Sequence, residues 1–421
     1  MRYKIALLLS LALPLLVVAQ KPNVLFIGNS YTEVNSLPQM VSDVARSMGD
    51  DFSYSANTPG GCTFMQHCSN HSMELIRQGG WDVVVLQEQS QYPSFPQSQV
   101  ENEVFPYAER LVDSVYAHSP CAEPMFYMTW GRRDGDQRNA QYFPVLGTYE
   151  GMDSMLCERY TYMAEAFDAA LCPVGRVWRL LRRSYPQIEL YQSDGSHPSL
   201  AGTYAAACAF YTMIFHRDPD SIGYNPGLPD DDALAIRSAV HTVVYEHLAS
   251  WQRPMPTVAL DTLGVDSTNT VWFAFESSYA DSLVWDFGDG SLFAISADDT
   301  LAVSHTYADT GRYTVTLTAL RHCLAASATV SFSLLNGSAV GFSQCDNDGI
   351  ALYPNPFAAS VTLHSSYAGA VHVVNSVGMT VYRAIVLPGT VELPLSGLPA
   401  GVYTVCFSTP QGILSRTLVK R

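Results

Sequence analysis

Val24-Leu25-Phe26-Ile27-Gly28-Asn29-Ser30-Tyr31-Thr32 runs an apolar stretch straight into a turn of small and polar residues. Consecutive apolar positions suit a strand buried on both faces. A helical pattern follows over residues 37–48, and the alternation then repeats. Residues 51–56, 81–86 and 124–130 read as strands. Residues 73–78, 101–118, 160–170, 177–184, 200–215 and 231–251 read as helices. Alternation of this kind predicts an α/β fold, a parallel sheet with helices on both faces. Ligand sites in such folds lie at the carboxyl ends of strands, where Ser30 and residues 87–89 fall.

Residues 253–256, Arg-Pro-Met-Pro, break the pattern and read as a linker. Beyond them helical periodicity vanishes. Strand-like runs at 271–275, 283–287 and 313–320 predict a small β-sandwich. Residues 335–349 form a second linker, rich in Gly, Ser, Asn and Asp. Short strands resume at 361–364, 371–375, 381–385, 402–407 and 413–419.

With 421 residues the chain is too long for one ordinary domain, and 48% hydrophobic against 15% charged residues suffices for real cores. The balance is acidic, 23 Lys and Arg against 39 Asp and Glu, net charge −16. A nucleic-acid partner is not expected, because that needs clustered cations. Arg2 and Lys4 precede an apolar run over residues 5–18 that closes on Val17-Val18-Ala19. This reads as a secretory signal peptide, residues 1–19. The run is shorter than the ~20 apolar residues a membrane span needs and is broken by Pro14, so no transmembrane segment is expected after its removal. Nine cysteines in an exported chain permit disulfides. Cys62–Cys68, Cys157–Cys172 and Cys323–Cys345 are local candidates, and no CxxC pair suggests zinc. His67 and His71 stand at a helical metal spacing, but no carboxylate constellation joins them, so no metal is expected.

Asp194-Gly195-Ser196-His197-Pro198 offers a carboxylate three residues before an imidazole, on a turn preceding the apolar helix 200–215. A serine hydroxyl becomes a useful nucleophile when a base takes its proton and a third group orients that base. Ser30, His197 and Asp194 are therefore the candidate hydrolytic triad.

In these two motifs the chain resembles the SGNH hydrolases, a GDSL-type family of serine esterases. The family's Gly-Asp-Ser block stands here as Gly28-Asn29-Ser30, and its Asp-x-x-His block as Asp194 and His197, with Pro198 in place. The resemblance implies a flavodoxin-like three-layer hydrolase domain over residues 20–252. It assigns Ser30 as nucleophile, His197 as general base and acid, and Asp194 as the orienting carboxylate, and it implies no cofactor. It also implies an oxyanion hole built from the Ser30 N–H, a glycine of Thr58-Pro59-Gly60-Gly61-Cys62-Thr63, preferably Gly61, and an amide side chain. The last block departs from the family's Gly-x-Asn-Asp. Gln87-Glu88-Gln89-Ser90 puts Gln89 at the asparagine, one methylene longer, and Gln87 at the glycine. Tyr31, Gly60, Gln87 and Trp130, with the 132–134 loop, are candidate substrate contacts, and Trp130 could stack on a sugar ring.

Val284-Trp285-Asp286-Phe287-Gly288-Asp289-Gly290, then His305-Thr306-Tyr307 and Gly311-Arg312-Tyr313, resembles a polycystic-kidney-disease-type (PKD) domain, an immunoglobulin-like sandwich, over residues 253–335. Trp285 and Phe287 should alternate into its core. After the 336–349 linker, Tyr353-Pro354-Asn355-Pro356, Leu398-Pro399-Ala400-Gly401-Val402-Tyr403 and a basic end resemble the type IX secretion sorting domain, residues 350–421. The whole reads as an α/β hydrolase domain followed by two small β-sandwiches. The expectation is a bacterial serine esterase, secreted or held at the cell surface, that meets the type IX machinery and cleaves small acyl esters, acetyl groups on glycans among them. A non-catalytic glycan-binding protein on the same scaffold is the alternative class, and a thioesterase or lysophospholipase with the same triad is a third reading.

Overall fold

Five parallel strands form the sheet of the first unit in the order β2-β1-β3-β4-β5: β1 (Asn23–Ile27), β2 (Ser53–Asn57), β3 (Val83–Leu86), β4 (Glu123–Tyr127) and β5 (Ala170–Cys172). This computed structural model describes residues 21–265, 269–297, 302–334, 350–365, 369–375, 379–409 and 412–421. The chain divides at Pro254/Met255 into two compact units. The strand order is the flavodoxin-like one. Its direction of winding reverses between β1 and β3, and Ile27 is registered against Leu86 there. The strand ends at that reversal open onto Gly28 and Gln87.

The period-two alternation of the strands divides the core in two. Val24, Phe26, Val83, Val85, Met125 and Tyr127 face α2 (Leu37–Ser47), α8 (Val174–Ser184), α9 (Leu200–Phe215) and α10 (Asp230–Val240). Leu25, Ile27, Val84, Leu86 and Phe126 face α3 (Phe64–His67), α4 (His71–Gln78), α6 (Phe105–His118) and α7 (Tyr149–Ala166). The result is the expected three-layer α/β/α unit. The remaining helical pieces are short: α1 (Ser30–Glu33), α5 (Gln97–Glu103) and α11 (Leu248–Trp251).

Several elements differ from the sequence reading: the helix expected over 231–251 splits into α10, a wider turn at His241–Tyr245 and α11, and the strand expected over 124–130 ends at Tyr127. The helix expected over 101–118 restarts at Phe105, because Pro106 in the first turn lacks the N–H an unbroken helix needs there. The helix expected over 160–170 begins eleven residues earlier at Tyr149, capped by Thr148, and stops at Ala166. Asp168 then turns left-handed at φ 53° and releases β5, a buried strand of three residues whose first, Ala170, the sequence reading gave to the helix.

The second unit contains two β-sandwiches, each with its own core. In the first, Ala302–Thr306, Thr270–Ser278 and Thr257–Val265 form one sheet. Leu324–Leu334, Gly311–Arg321, Ser282–Asp286 and Leu292–Ser296 form the other. Trp285 and Phe287 are 0% and 3% exposed with Asp286 between them facing out, the alternation expected of this motif. In the second, Ile350–Tyr353, Ser360–Ser365 and Gly389–Pro394 pack against Thr380–Val386, Gly369–Asn375, Gly401–Thr409 and Gly412–Lys420.

The local disulfides Cys62–Cys68 and Cys157–Cys172 do not form. All four thiols are free, Cys172 inside a strand and Cys62 and Cys68 buried beside α3. Cys121 is in a disulfide, and so is Cys323. The segment read as a signal peptide, the 336–349 segment read as a linker, and Cys345 lie outside the described residues. Among the described residues no helix is long and apolar enough to cross a membrane.

Candidate active site

β1 ends at Ile27 and α1 begins at Ser30, so the hydroxyl stands on a tight strand-to-helix turn. Asn29 caps α1, its Oδ1 accepting from Tyr31 N at 3.2 Å. The turn is glycine at position 28 for a physical reason: a Cβ there would lie 2.4 Å from Thr32 Oγ1 and 2.7 Å from Gln87 Oε1. Those two atoms are themselves bonded at 2.9 Å, and Gln87 Oε1 also accepts from Asn29 N at 3.0 Å.

The second motif folds onto this turn from 167 residues away. His197 Nε2 lies 2.9 Å from Ser30 Oγ, and its Nδ1 lies 2.5 Å from Asp194 Oδ2. The other Asp194 oxygen accepts from the backbone N–H groups of Ser196 at 2.9 Å and His197 at 3.0 Å. Gly195, at φ +67°, makes the bend that lets one carboxylate do both. Burial works against the charge on Asp194, but the His197 bond and the two backbone donors outweigh it and hold the carboxyl below its ordinary range. Ser30 and His197 are half-buried and Asp194 is more open, so the hydroxyl and ring can be reached from solvent.

The histidine turn is braced from behind. Tyr31 stacks on Trp130 with ring centroids 4.8 Å apart, and Trp130 stacks on Trp178 at 3.7 Å. Tyr31 Oη shares a 2.7 Å hydrogen bond with Ser196 Oγ, and Trp130 Nε1 donates to Ser196 O at 3.1 Å. Arg133 contributes its backbone N–H to Gly195 O at 2.8 Å and its guanidinium to Gln192 O at 3.1 Å.

The structure therefore corrects part of the expected substrate surface. Trp130 and Gln87 are 0% exposed and Tyr31 2%. Trp130 cannot stack on a sugar, because both its faces are covered by Tyr31 and Trp178. Gln87 is committed to the Ser30 turn. Gly60 and Gly61 are exposed, Gly61 with φ +68°. The Gln89 amide is turned to its own loop: Oε1 accepts from Gln91 N at 2.8 Å, and Nε2 reaches Gln91 Oε1 only at 3.3 Å.

Two domain models match the chain: the PKD domain over residues 251–333 and the secretion system C-terminal sorting domain over residues 351–421. The chain carries an export tail. The sorting domain directs it to the cell surface or beyond, as its Tyr-Pro-Asn-Pro and Leu-x-x-Gly-x-Tyr motifs implied. No curated protein matches the chain. Similar solved structures include a DUF4886 family protein from Bacteroides uniformis, 17% identical with TM-score 0.46, over 53% of this chain and 95% of that one. Others are Est24, a carbohydrate acetylesterase from Sinorhizobium meliloti, 14% identical with TM-score 0.33 over 47% and 99%, and a carbohydrate esterase family 3 protein from Talaromyces cellulolyticus, 12% identical with TM-score 0.31 over 46% and 97%.

Upstream of the PKD and sorting domains, three residues to which the sequence reading gave no role beside Ser30 complete the site. His67 is fully buried. Its Nε2 bonds Gly28 O at 2.9 Å and its Nδ1 bonds Ser72 Oγ at 2.8 Å. Burial pushes its pKa down to about 4, so the ring is neutral with both nitrogens engaged. His71 belongs to the next helix and pairs with Glu74, so the helical metal spacing is not realised. Asn35, left-handed at φ 54°, donates from Nδ2 to Pro198 O at 3.3 Å, Ser199 O at 3.1 Å and Thr203 Oγ1 at 2.8 Å, tying α1 to the histidine turn. Glu88, fully buried, accepts from backbone groups of two loops. A single carboxylate between Gln87 and Gln89 carries no pattern in the sequence that marks it as buried. Among the described residues Asp218, Asp220 and His241 lie close enough to share a cation. They are partly exposed and Asp218 already pairs with His241 at 2.8 Å.

Proposed function

We propose that this exported protein is an SGNH-type serine esterase acting on small acyl esters, with acetyl groups on glycans as the substrate class. The observation that carries the reading is the relay from Ser30 Oγ to His197 Nε2 at 2.9 Å and from His197 Nδ1 to Asp194 at 2.5 Å.

In this reading Ser30 Oγ attacks the ester carbonyl carbon while His197 Nε2 takes the hydroxyl proton. The tetrahedral oxyanion is met by the backbone N–H groups of Ser30 and Gly61 and by the Gln89 amide, which swings off its long contact with Gln91 to donate. As the intermediate collapses, the C–O bond to the alcohol breaks and His197 returns the proton to the leaving oxygen. Water then attacks the acyl-serine with His197 again as base, releasing the acid and restoring the hydroxyl. Asp194 holds the imidazole in the tautomer with Nε2 free and stabilises the imidazolium. The exposed Gly60–Gly61 loop is the open wall of the site, which suits an acyl group carried on a large polymer.

The binding-protein alternative leaned on Trp130 and Tyr31 as a sugar platform, and their burial removes that support. Acetate release from p-nitrophenyl acetate and from acetylated polysaccharides tests the proposal, with Ser30→Ala as the control. Turnover that survives Ser30→Ala would sink it.

A further inference from the structure

Glu88 sits where the Ser30 turn, the loop bearing Gly60 and Gly61, and the loop bearing Gln89 meet. Both its carboxylate oxygens lie within reach of Phe64 N, at 3.0 and 3.1 Å, and one also accepts from Gln89 N at 2.5 Å. Phe64 opens α3, directly after Thr63, whose capping box with Gln66 fixes the end of the glycine loop. The Glu88 carbonyl accepts from Asn29 Nδ2 at 3.4 Å, and its backbone N–H donates to Tyr160 Oη at 3.3 Å. One residue thus touches all three segments that converge on Ser30.

Its chemistry is unusual for a structural carboxylate. Among the described residues no cation pairs with it. The titratable groups facing it are Cys62 from the glycine loop, Cys68 from the end of α3 and Tyr160 from α7, none of them cationic. A glutamine would avoid the cost of burying an acid, but it keeps one acceptor oxygen instead of two and turns an NH2 toward the Phe64 N–H.

We infer that Glu88 is a positioning residue, its carboxylate locking the Gly60–Gly61 loop to the Gln89 loop so that both present donors to the acyl oxygen bound at Ser30; this rests on the esterase reading above. Ionised, it accepts from both loops at once. Protonated on Oε2, it turns a hydrogen toward the Phe64 N–H and leaves Oε1 alone to accept from both loops, so they are held less well. Burial raises its pKa to about 8, which places the change on the alkaline side of neutrality, and turnover rises as Glu88 ionises.

The test uses the full chain in three forms: wild type, Glu88→Gln and Glu88→Ala. Steady-state hydrolysis of p-nitrophenyl acetate is followed across pH, and amide hydrogen exchange is read over residues 59–66 and 87–92. Glu88→Ala is expected to lower kcat by roughly tenfold or more with KM little changed, and to speed exchange in both segments. Glu88→Gln, close in shape and safer for folding, should lose less kcat but lose the inflection near pH 8. A residue that only supported the fold would lower the melting temperature and leave that inflection in place. Unchanged exchange in both variants overturns the inference, as does unchanged kcat in an enzyme whose turnover needs Ser30. A wild type with no Ser30-dependent turnover overturns the esterase reading instead, and the exchange measurement then decides by itself whether Glu88 ties the loops.

Discussion

The Asn29 side-chain amide donates to the Cys62 carbonyl at 3.0 Å, and the same NH2 reaches the Glu88 carbonyl at 3.4 Å. One group thereby joins the Ser30 turn to both neighbouring loops. An aspartate at this position, as in the Gly-Asp-Ser form of the motif, has no hydrogen to give to either carbonyl.

Asn29→Asp should therefore cost activity despite restoring the commoner motif. It sets a buried acceptor against two carbonyl oxygens, a loss of about 1–3 kcal/mol. The expected result is a kcat lowered on the order of tenfold to a hundredfold, with a lower melting temperature, read by ester hydrolysis and thermal unfolding.

Gly28→Ala tests the close approach of Gln87. The added methyl meets Thr32 Oγ1 and Gln87 Oε1 inside contact distance, so the turn must shift. Destabilisation of about 1–3 kcal/mol is expected, with turnover falling further than stability does, because Ser30 moves with the turn.

Trp130→Ala removes the middle ring of the Tyr31–Trp130–Trp178 stack and the donor to Ser196 O. Core Trp-to-Ala changes cost about 3–5 kcal/mol. Trp130→Phe, which keeps a ring and drops the N–H, should keep most of the stability and still lower kcat. Comparing the two separates packing from positioning of the histidine turn.

The pH dependence of stability carries two opposed signatures. His67 has its folded pKa lowered to about 4 from 6.5, so the stability it contributes is present above 6.5 and lost as pH falls toward 4. Glu88 is raised to about 8 from 4.5, so its contribution is full below 4.5 and lost as pH rises toward 8. Melting temperatures of His67→Gln should show a flatter acid limb. Those of Glu88→Gln should show a flatter limb above pH 6.5, where His67 no longer titrates.

Much of this was legible in the chain itself. The α/β alternation follows from apolar runs, and the pairing of Ser30 with Asp194 and His197 from two short motifs whose residue types suit one chemistry; the strand order and its reversal beside β1 do not. The signature of the PKD domain and the three signals of the sorting domain are local too. What escaped reading depends on contacts across the chain. Trp130 after a strand end reads alike whether it faces a ligand or two other rings, and only packing decides. His67 and Glu88 carry no periodic signal, since their partners are backbone atoms of Gly28, Phe64 and Gln89. β5 was missed because three residues are too few to show a period. The extent of α7 was set by the Thr148 cap and by a left-handed Asp168, neither of which interrupts a hydrophobic pattern.

The Trp130–Trp178 pair has a spectroscopic corollary. Two nearly parallel, stacked indoles with centroids 3.7 Å apart couple their electronic transitions, and one of them is hydrogen-bonded to the turn that carries His197. The protein thus holds an intrinsic chromophore beside its candidate centre. Circular dichroism of that couplet, compared with Trp130→Phe, can follow ordering of the histidine turn during ligand binding without an added label.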